Sequence, residues 1–309
     1  MGLFTISLST VLVTIAFIIP GYILCKMKKA TAEHLPTLSG LLIYVGTPFM
    51  IVSNFMSLDY SLESLKNMGI YFVVTFTLQA VFLSIVYTIL KKRYEDARFR
   101  IMTIAFVLGN VGYFGLPIIR ALFPDEPIVA CYSSVNAISM NIIVFTMGVF
   151  CVTGDKKYVS VKSAFLNPAI FGIVIAFPLY IFGAKNHVPQ VVLDALKIVS
   201  NSTVFLCMTI LGIRLASAPI LDIFKNSYVY LAVFGKLLVF PLFCFFAVNW
   251  LPIAYTLKAS VVILAGTPCA SVILNLSEIH KKEAKMPANC ILLSTICCFL
   301  TIPLLTLLF

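Results

Sequence analysis

Residues 101–123 read IMTIAFVLGNVGYFGLPIIRALF. The stretch is long and apolar enough to cross a bilayer as a helix, yet Gly109, Asn110, Gly112, Gly115 and Pro117 occupy its centre. Pro117 has no amide hydrogen to donate, and its ring crowds the carbonyl one turn back. The glycines loosen the same turns. Backbone groups left open in hydrocarbon cost several kcal/mol, so a true break lasts only against protein or a water-filled cavity. A kinked helix held by packing is the other reading, because Gly and Pro are common in membrane helices.

A second interrupted stretch separates the two readings. Residues 257–276, LKASVVILAGTPCASVILNL, carry Gly266-Thr267-Pro268 at their centre, about half of the 309-residue chain beyond Gly115-Leu116-Pro117. Interrupted spans in matching positions of two halves point to the binding site of a secondary transporter.

Composition fits. Hydrophobic residues make up 61% and charged residues 11% of the chain, and the mean hydropathy is +1.05, which excludes an ordinary soluble domain. The net charge of +10 lies in short loops between apolar runs, so no nucleic-acid partner is expected. The nine cysteines fall mostly inside those runs, with no ligand-like spacing to histidines, and read as packing residues. His280 has no metal-ligand constellation around it, and no catalytic triad, P-loop or HExxH motif occurs. Neither an enzyme nor a cofactor is expected.

Ten spans can be drawn: 4–25, 35–57, 67–90, 101–123, 127–153, 163–182, 190–214, 227–249, 257–276 and 286–309. Sixteen basic residues, among them Lys26, Lys91, Lys92, Arg93, Lys156 and Lys281, fall in the loops after odd-numbered spans, against three (Lys66, Lys185 and Arg120) on the other side. Positive charge marks the cytoplasmic side. The expectation is a multi-pass protein of the cell (plasma or inner) membrane with both termini extracytoplasmic. No basic residue precedes the first apolar run, which argues against a cleaved signal peptide. Five spans per half place the second half upside down, so homologous halves are inverted repeats, 1–153 and 154–309. His34-Leu35-Pro36 and His187-Val188-Pro189 open spans 2 and 7 alike.

Polar residues within spans are the site candidates. Lys236 lies near the middle of span 8, where a charge costs at least ~2.5–3.5 kcal/mol. It either snorkels or pairs structurally, or it is a fixed positive charge that holds an anion or supports the crossover. No aspartate or glutamate sits mid-span, which disfavours the carboxylate relay of a sodium/proton antiporter and favours an anion held by half-helix N-termini. Asn110 either contacts substrate or ties down loosened carbonyls. Ser133, Asn136, Met140 and Asn141 in span 5, and Thr47, Ser53 and Asn54 in span 2, either line the same cavity or join helices.

Three segments, GNVGYFGLPIIRALFP (109–124), FLNPAIFGIVIAFPLYIFG (165–183) and AGTPCASVILNLSE with ANCILLSTICCFLTIPLL near the end, in this order and spacing, make nearly the whole chain resemble the auxin efflux carrier family in its compact bacterial form. The resemblance implies an all-α polytopic protein of ten transmembrane helices in two inverted five-helix repeats, with helices 4 and 9 broken and crossing at mid-membrane. It also implies a scaffold of spans 1, 2, 6 and 7, a transport part of spans 3–5 and 8–10, and a homodimer formed through the scaffold. Asn110 matches the substrate-contacting asparagine after the span 4 crossover, Pro268 the crossover proline of span 9, and Lys236 a basic residue before the proline of span 8, here Pro241. Gly109 stands where plant members have a crossover proline, and Cys269 where they have glutamine. The family register pairs Gly109 with Pro268; the Gly-Leu-Pro/Gly-Thr-Pro match pairs Pro117 with Pro268.

The expected function is efflux of a small organic anion, such as malate, malonate or an auxin-like aromatic carboxylate, by alternating access. The expected site is the crossover, with Gly109, Asn110, Gly112, Pro117, Pro268, Cys269 and Lys236 at its centre. Coupling to protons or sodium stays open. The rivals are a sodium-coupled symporter of the bile-acid-carrier type, a non-transporting membrane receptor, and a channel.

Overall fold

Each apolar run becomes helix because a chain out of water must satisfy its backbone internally. The computed structural model describes residues 2–160, 162, 166–217 and 225–309. In chain order the helices are α1 Leu3–Lys26, α2 Ala32–Met56, α3 Leu62–Arg93, α4 Ala97–Ala105, α5 Val111–Leu122, α6 Ile128–Thr153, α7 Pro168–Ile181, α8 Gln190–Ser217, α9 Ser227–Asn249, α10 Tyr255–Ala265, α11 Val272–Ile279 and α12 Lys285–Thr306. Seven of them (α1, α2, α3, α6, α8, α9 and α12) are long and apolar enough to cross a membrane, and α5, α7 and α10 are shorter apolar helices. The fold is therefore an all-helical membrane protein. The first residues of the 163–182 span, and Phe165 of the FLNPAIF motif, lie outside the described residues.

Helix starts follow local chemistry. Asn167 accepts hydrogen bonds from the amides of Ala169 and Ile170, with Pro168 in the first turn, which explains the Asn-Pro of that motif. Ser61, Asp96 and Asn226 cap α3, α4 and α9 in the same way.

Pro117 is a correction to the expected break. It sits in the first α-turns after a widened π segment, Val111–Gly115, and the helix continues through it to Leu122. Pro48 follows the π segment Leu41–Gly46, and Pro241 follows Gly235–Val239. A wider turn gives the proline ring room and absorbs the missing hydrogen bond, so the three prolines are accommodated inside continuous helices.

Two packing groups flank the broken helices. In one, α8 lies against α1 so closely that a Cβ on Gly21 or Gly212 would collide with the backbone of the facing helix, at Thr209 and Ile18. Thr203 of α8 also reaches the Gly46 carbonyl of α2 at 3.4 Å, and Gly172 of α7 packs on Pro48 of α2. In the other group α3 lies along α6, with Tyr71 and Tyr132 stacked at 4.5 Å. The pairs α4/α5 and α10/α11 run through the buried centre, where Leu108, Ile118, Val262 and Leu264 have no exposed surface.

Candidate functional site: the crossing of two broken helices

The helical hydrogen-bond ladder of α4 stops at Ala105, and that of α10 at Ala265. Beyond each, a few residues run extended and meet antiparallel, with Gly109 opposite Cys269. Asn110 donates its amide to the Pro268 carbonyl at 2.8 Å, and Ala270 donates to the Leu108 carbonyl at 3.0 Å. Two breaks thus satisfy one another, as buried backbone must. The bridge fixes the register. Neither sequence-based pairing describes it: Cys269, one residue after Pro268, faces Gly109, and Pro117 lies beyond the crossing in α5.

Gly109 is glycine for a steric reason. A Cβ there would stand 2.5 Å from Thr267 Oγ1 and 2.8 Å from Lys236 Nζ. Gly115 packs on Leu264 and Thr267, while Gly112 faces the Met50 methyl. The crossing is narrow, and its glycines let the strands close.

The four half-helix ends at this point are treated unequally. The C-terminal carbonyls are capped. Lys236 is fully buried and donates to the Ala265 carbonyl at 2.5 Å, its ammonium also lying 5.1 Å from the centre of the Phe240 ring. The Cys269 thiol reaches the Ala105 carbonyl at 3.6 Å, and the Cys269 amide donates to Ser294 of α12 at 2.9 Å. At the N-terminal ends the amides of Gly112 and Tyr113 (α5), and of Ser271 and Val272 (α11), make no hydrogen bond among the described residues. Free amides and the positive ends of helix dipoles together attract an anion. Asn110 is half-buried at the start of α5, beside the Cys207 thiol of α8.

Of the roles weighed for Lys236 from the sequence, support of the crossover is the one its contacts match. Its ammonium is spent on the last carbonyl of α10, the negative end of that helix. It staples the crossing.

The remaining candidates divide. Asn136 lies beside the crossing, where Gly109, Thr75, Gln79 and Met140 help line a cavity of about 10 Å³, room for about one water. Asn141 is outside that lining. Thr47 hydrogen-bonds the Tyr113 hydroxyl at 2.5 Å, linking α2 to the first turn of α5. Asn54 is a correction. It is fully buried, donates to Ala130 O and Ser134 Oγ, and accepts from Arg120 at 2.7 Å, so it joins α2 to α5 and α6 instead of walling a ligand cavity. Ser133 likewise donates to the Val111 carbonyl at 2.8 Å and supports the break.

Sequence reasoning missed Gln79 and Ser294. Gln79 is 6% exposed and donates to Asn136 at 2.8 Å and to Ser139 at 3.2 Å, while Asn136 reaches the Tyr71 hydroxyl at 3.3 Å. The Gln79 Oε1 has no hydrogen-bond partner among the described residues. A lone amide in the apolar run TFTLQAVFLSIV was the available signal. Ser294 carried none, since its partner is a backbone amide.

The chain is similar to known membrane transport proteins. The profile of a family described as membrane transport proteins matches residues 6–163 and 156–306. An uncharacterised transporter of Methanocaldococcus jannaschii is 25% identical over 308 residues, covering 97% of each chain. An uncharacterised transporter of Methanothermobacter thermautotrophicus is 22% identical over 301 residues, covering 96% of this chain and 97% of the relative. With apolar helices of spanning length around a crossing of two broken ones, and a family match running almost end to end, this chain belongs to the auxin-efflux-carrier-like family of membrane transport proteins.

Proposed function

We propose that this protein is a secondary carrier that exports a small organic anion, such as a malate- or malonate-like dicarboxylate or an aromatic carboxylate, with its site at the crossing. The observation that carries the proposal is the set of unpartnered amides at Gly112, Tyr113, Ser271 and Val272, beside the half-buried amide side chain of Asn110. Amides fixed in a water-poor site favour a carboxylate without needing a free cation. Lys236 adds positive potential while bound to Ala265. Moving one charge out across the membrane draws on ~2.3 kcal/mol per 100 mV.

In this reading the chain forms ten spans in two inverted repeats, 1–153 and 154–309, with both termini outside the cell membrane. Helices α1, α2, α7 and α8 are the scaffold, through which two copies pair. Helices α3–α6 and α9–α12 move against it to alternate access. The close α1–α8 and α2–α7 packing supports a rigid scaffold. The small cavity at the crossing then belongs to a conformation closed around the site, and substrate entry requires the two groups to separate.

Charge movement in proteoliposomes on a solid-supported membrane, across a panel of mono- and dicarboxylates, tests the proposal. A saturable current that needs no sodium and collapses in Asn110→Ala supports it. A current that persists in that variant moves the site, and the absence of current for every anion sinks the carrier reading.

A second reading, sodium coupling, draws on Gln79, Thr75 and Asn136. These residues help line a cavity of one-water size, and one of their oxygens, Gln79 Oε1, has no partner among the described residues. Such oxygens suit a hard monovalent cation. Flux that requires sodium and loses that requirement in Gln79→Leu favours this reading; sodium-independent flux removes it.

A further inference from the structure

A cavity of about 270 Å³ lies away from the crossing, between the C-terminal turn of α8, the C-terminal turns of α11 and the first turns of α12. Leu211, Leu274, Ala288 and Leu292 give it an apolar wall, and Arg214 and Glu278 stand at its polar end. The Arg214 side chain is only 12% exposed, whereas that of Glu278 is 48% exposed. Arg214 Nη1 meets one Glu278 oxygen at 2.8 Å, and Nη2 meets Asn275 Oδ1 at a long 3.4 Å. The guanidinium fork is thus engaged by one carboxylate oxygen, not by two in parallel, although its geometry suits bidentate grip. A half-exposed partner contributes little net free energy. An incoming carboxylate with an apolar tail gains both the fork and the leucine wall, and returns Glu278 to water.

We infer that this cavity is a second ligand site, an anteroom for a small organic carboxylate, in which Arg214 grips the carboxylate, the leucine wall takes the tail, and Glu278 is the internal competitor holding the place. The inference rests on the carrier reading for its transport consequence: exchange of Glu278 for ligand would release α11 from α8, members of the two groups that move relative to one another. Binding itself does not depend on that reading.

The test is calorimetric titration of benzoate into the purified full-length protein in neutral-lipid nanodiscs, with Asn110→Ala as the background so that the crossing contributes least. Glu278→Gln, which removes the competing charge but keeps the shape, is expected to tighten benzoate about tenfold. Arg214→Met is expected to abolish binding, and Arg214→Lys to weaken it by a smaller factor, because a point charge replaces the fork. Benzyl alcohol, the neutral counterpart, is expected not to bind. Benzoate binding indifferent to Glu278→Gln and Arg214→Lys overturns the inference, as does equal binding of benzyl alcohol. Loss of benzoate binding when acidic lipid is added to the nanodisc also overturns it, assigning the cavity to a lipid headgroup. The carrier reading is judged separately by flux: a current lost in Asn110→Ala with no response of binding at Arg214 leaves the carrier and removes the anteroom.

Discussion

The two breaks at the crossing have nearly the same backbone and different side chains. Each is an extended segment between a C-terminal and an N-terminal half-helix, and each supplies one donor and one acceptor to the other. The break after α4 has Gly109 at the meeting point; the break after α10 has Cys269. The last carbonyl of α10 receives a buried ammonium at 2.5 Å, and that of α4 a thiol at 3.6 Å. A charge-assisted hydrogen bond is roughly twice as strong as a neutral one, and a thiol is a weak donor. The α10 end is therefore the firmly held one. The Lys236 ammonium needs space beside Gly109, so the glycine on one break and the lysine capping the other are a single device.

That asymmetry can be broken in steps. Gly109→Ala should have the largest effect, because its Cβ would overlap Thr267 Oγ1 and Lys236 Nζ at 2.5 and 2.8 Å. A loss of about 3 kcal/mol is expected, at the upper end for overpacking, with transport abolished; thermal unfolding in detergent and liposome flux read the two. Lys236→Met removes the cap while keeping the stem. Leaving the Ala265 carbonyl open should cost about 2 kcal/mol, partly offset because a buried charge is also removed. An unchanged unfolding midpoint would show that the lysine does not staple the crossing.

Ser294→Ala should cost about 1 kcal/mol, at the low end for an orphaned buried amide, here that of Cys269. It sharpens the comparison, since among the described residues no side chain bonds the Gly109 amide as Ser294 bonds that of Cys269. Cys269→Ala should be mildest, below about 1 kcal/mol, because only a small apolar group and a weak thiol contact are lost. If Cys269→Ala proved costlier than Lys236→Met, the two ends would have to be ranked the other way. Gln79→Leu probes the cavity beside the crossing: the buried Asn136 Oδ1 loses its donor, at a cost of about 1 kcal/mol, and any sodium dependence of flux should disappear.

Much of this was legible in the chain. Apolar runs separated by Lys- and Arg-rich loops announce membrane helices, because every run must be long enough for the bilayer and carry its own hydrogen bonds. The two Gly/Pro-marked interruptions and Lys236 were visible as residues out of place in hydrocarbon. The crossing's register was not, because Gly109, Gly112 and Gly115 look alike in the sequence and only the facing chain distinguishes them. Pro117 looked like a break and is housed in a helix instead, since the preceding π turn leaves no mark in residue type. Asn54 looked like a ligand contact, but its partner Arg120 lies far along the chain.

The sequence by itself determined the class of structure and the family, because hydropathy, loop charge and motif order are local properties of the chain. Only the tertiary structure decided what the unusual residues do. The partners that give Lys236, Cys269 and Asn110 their roles are the backbone carbonyls of Ala265, Ala105 and Pro268. Every residue has such a carbonyl, so no sequence pattern marks which one a side chain or amide will find.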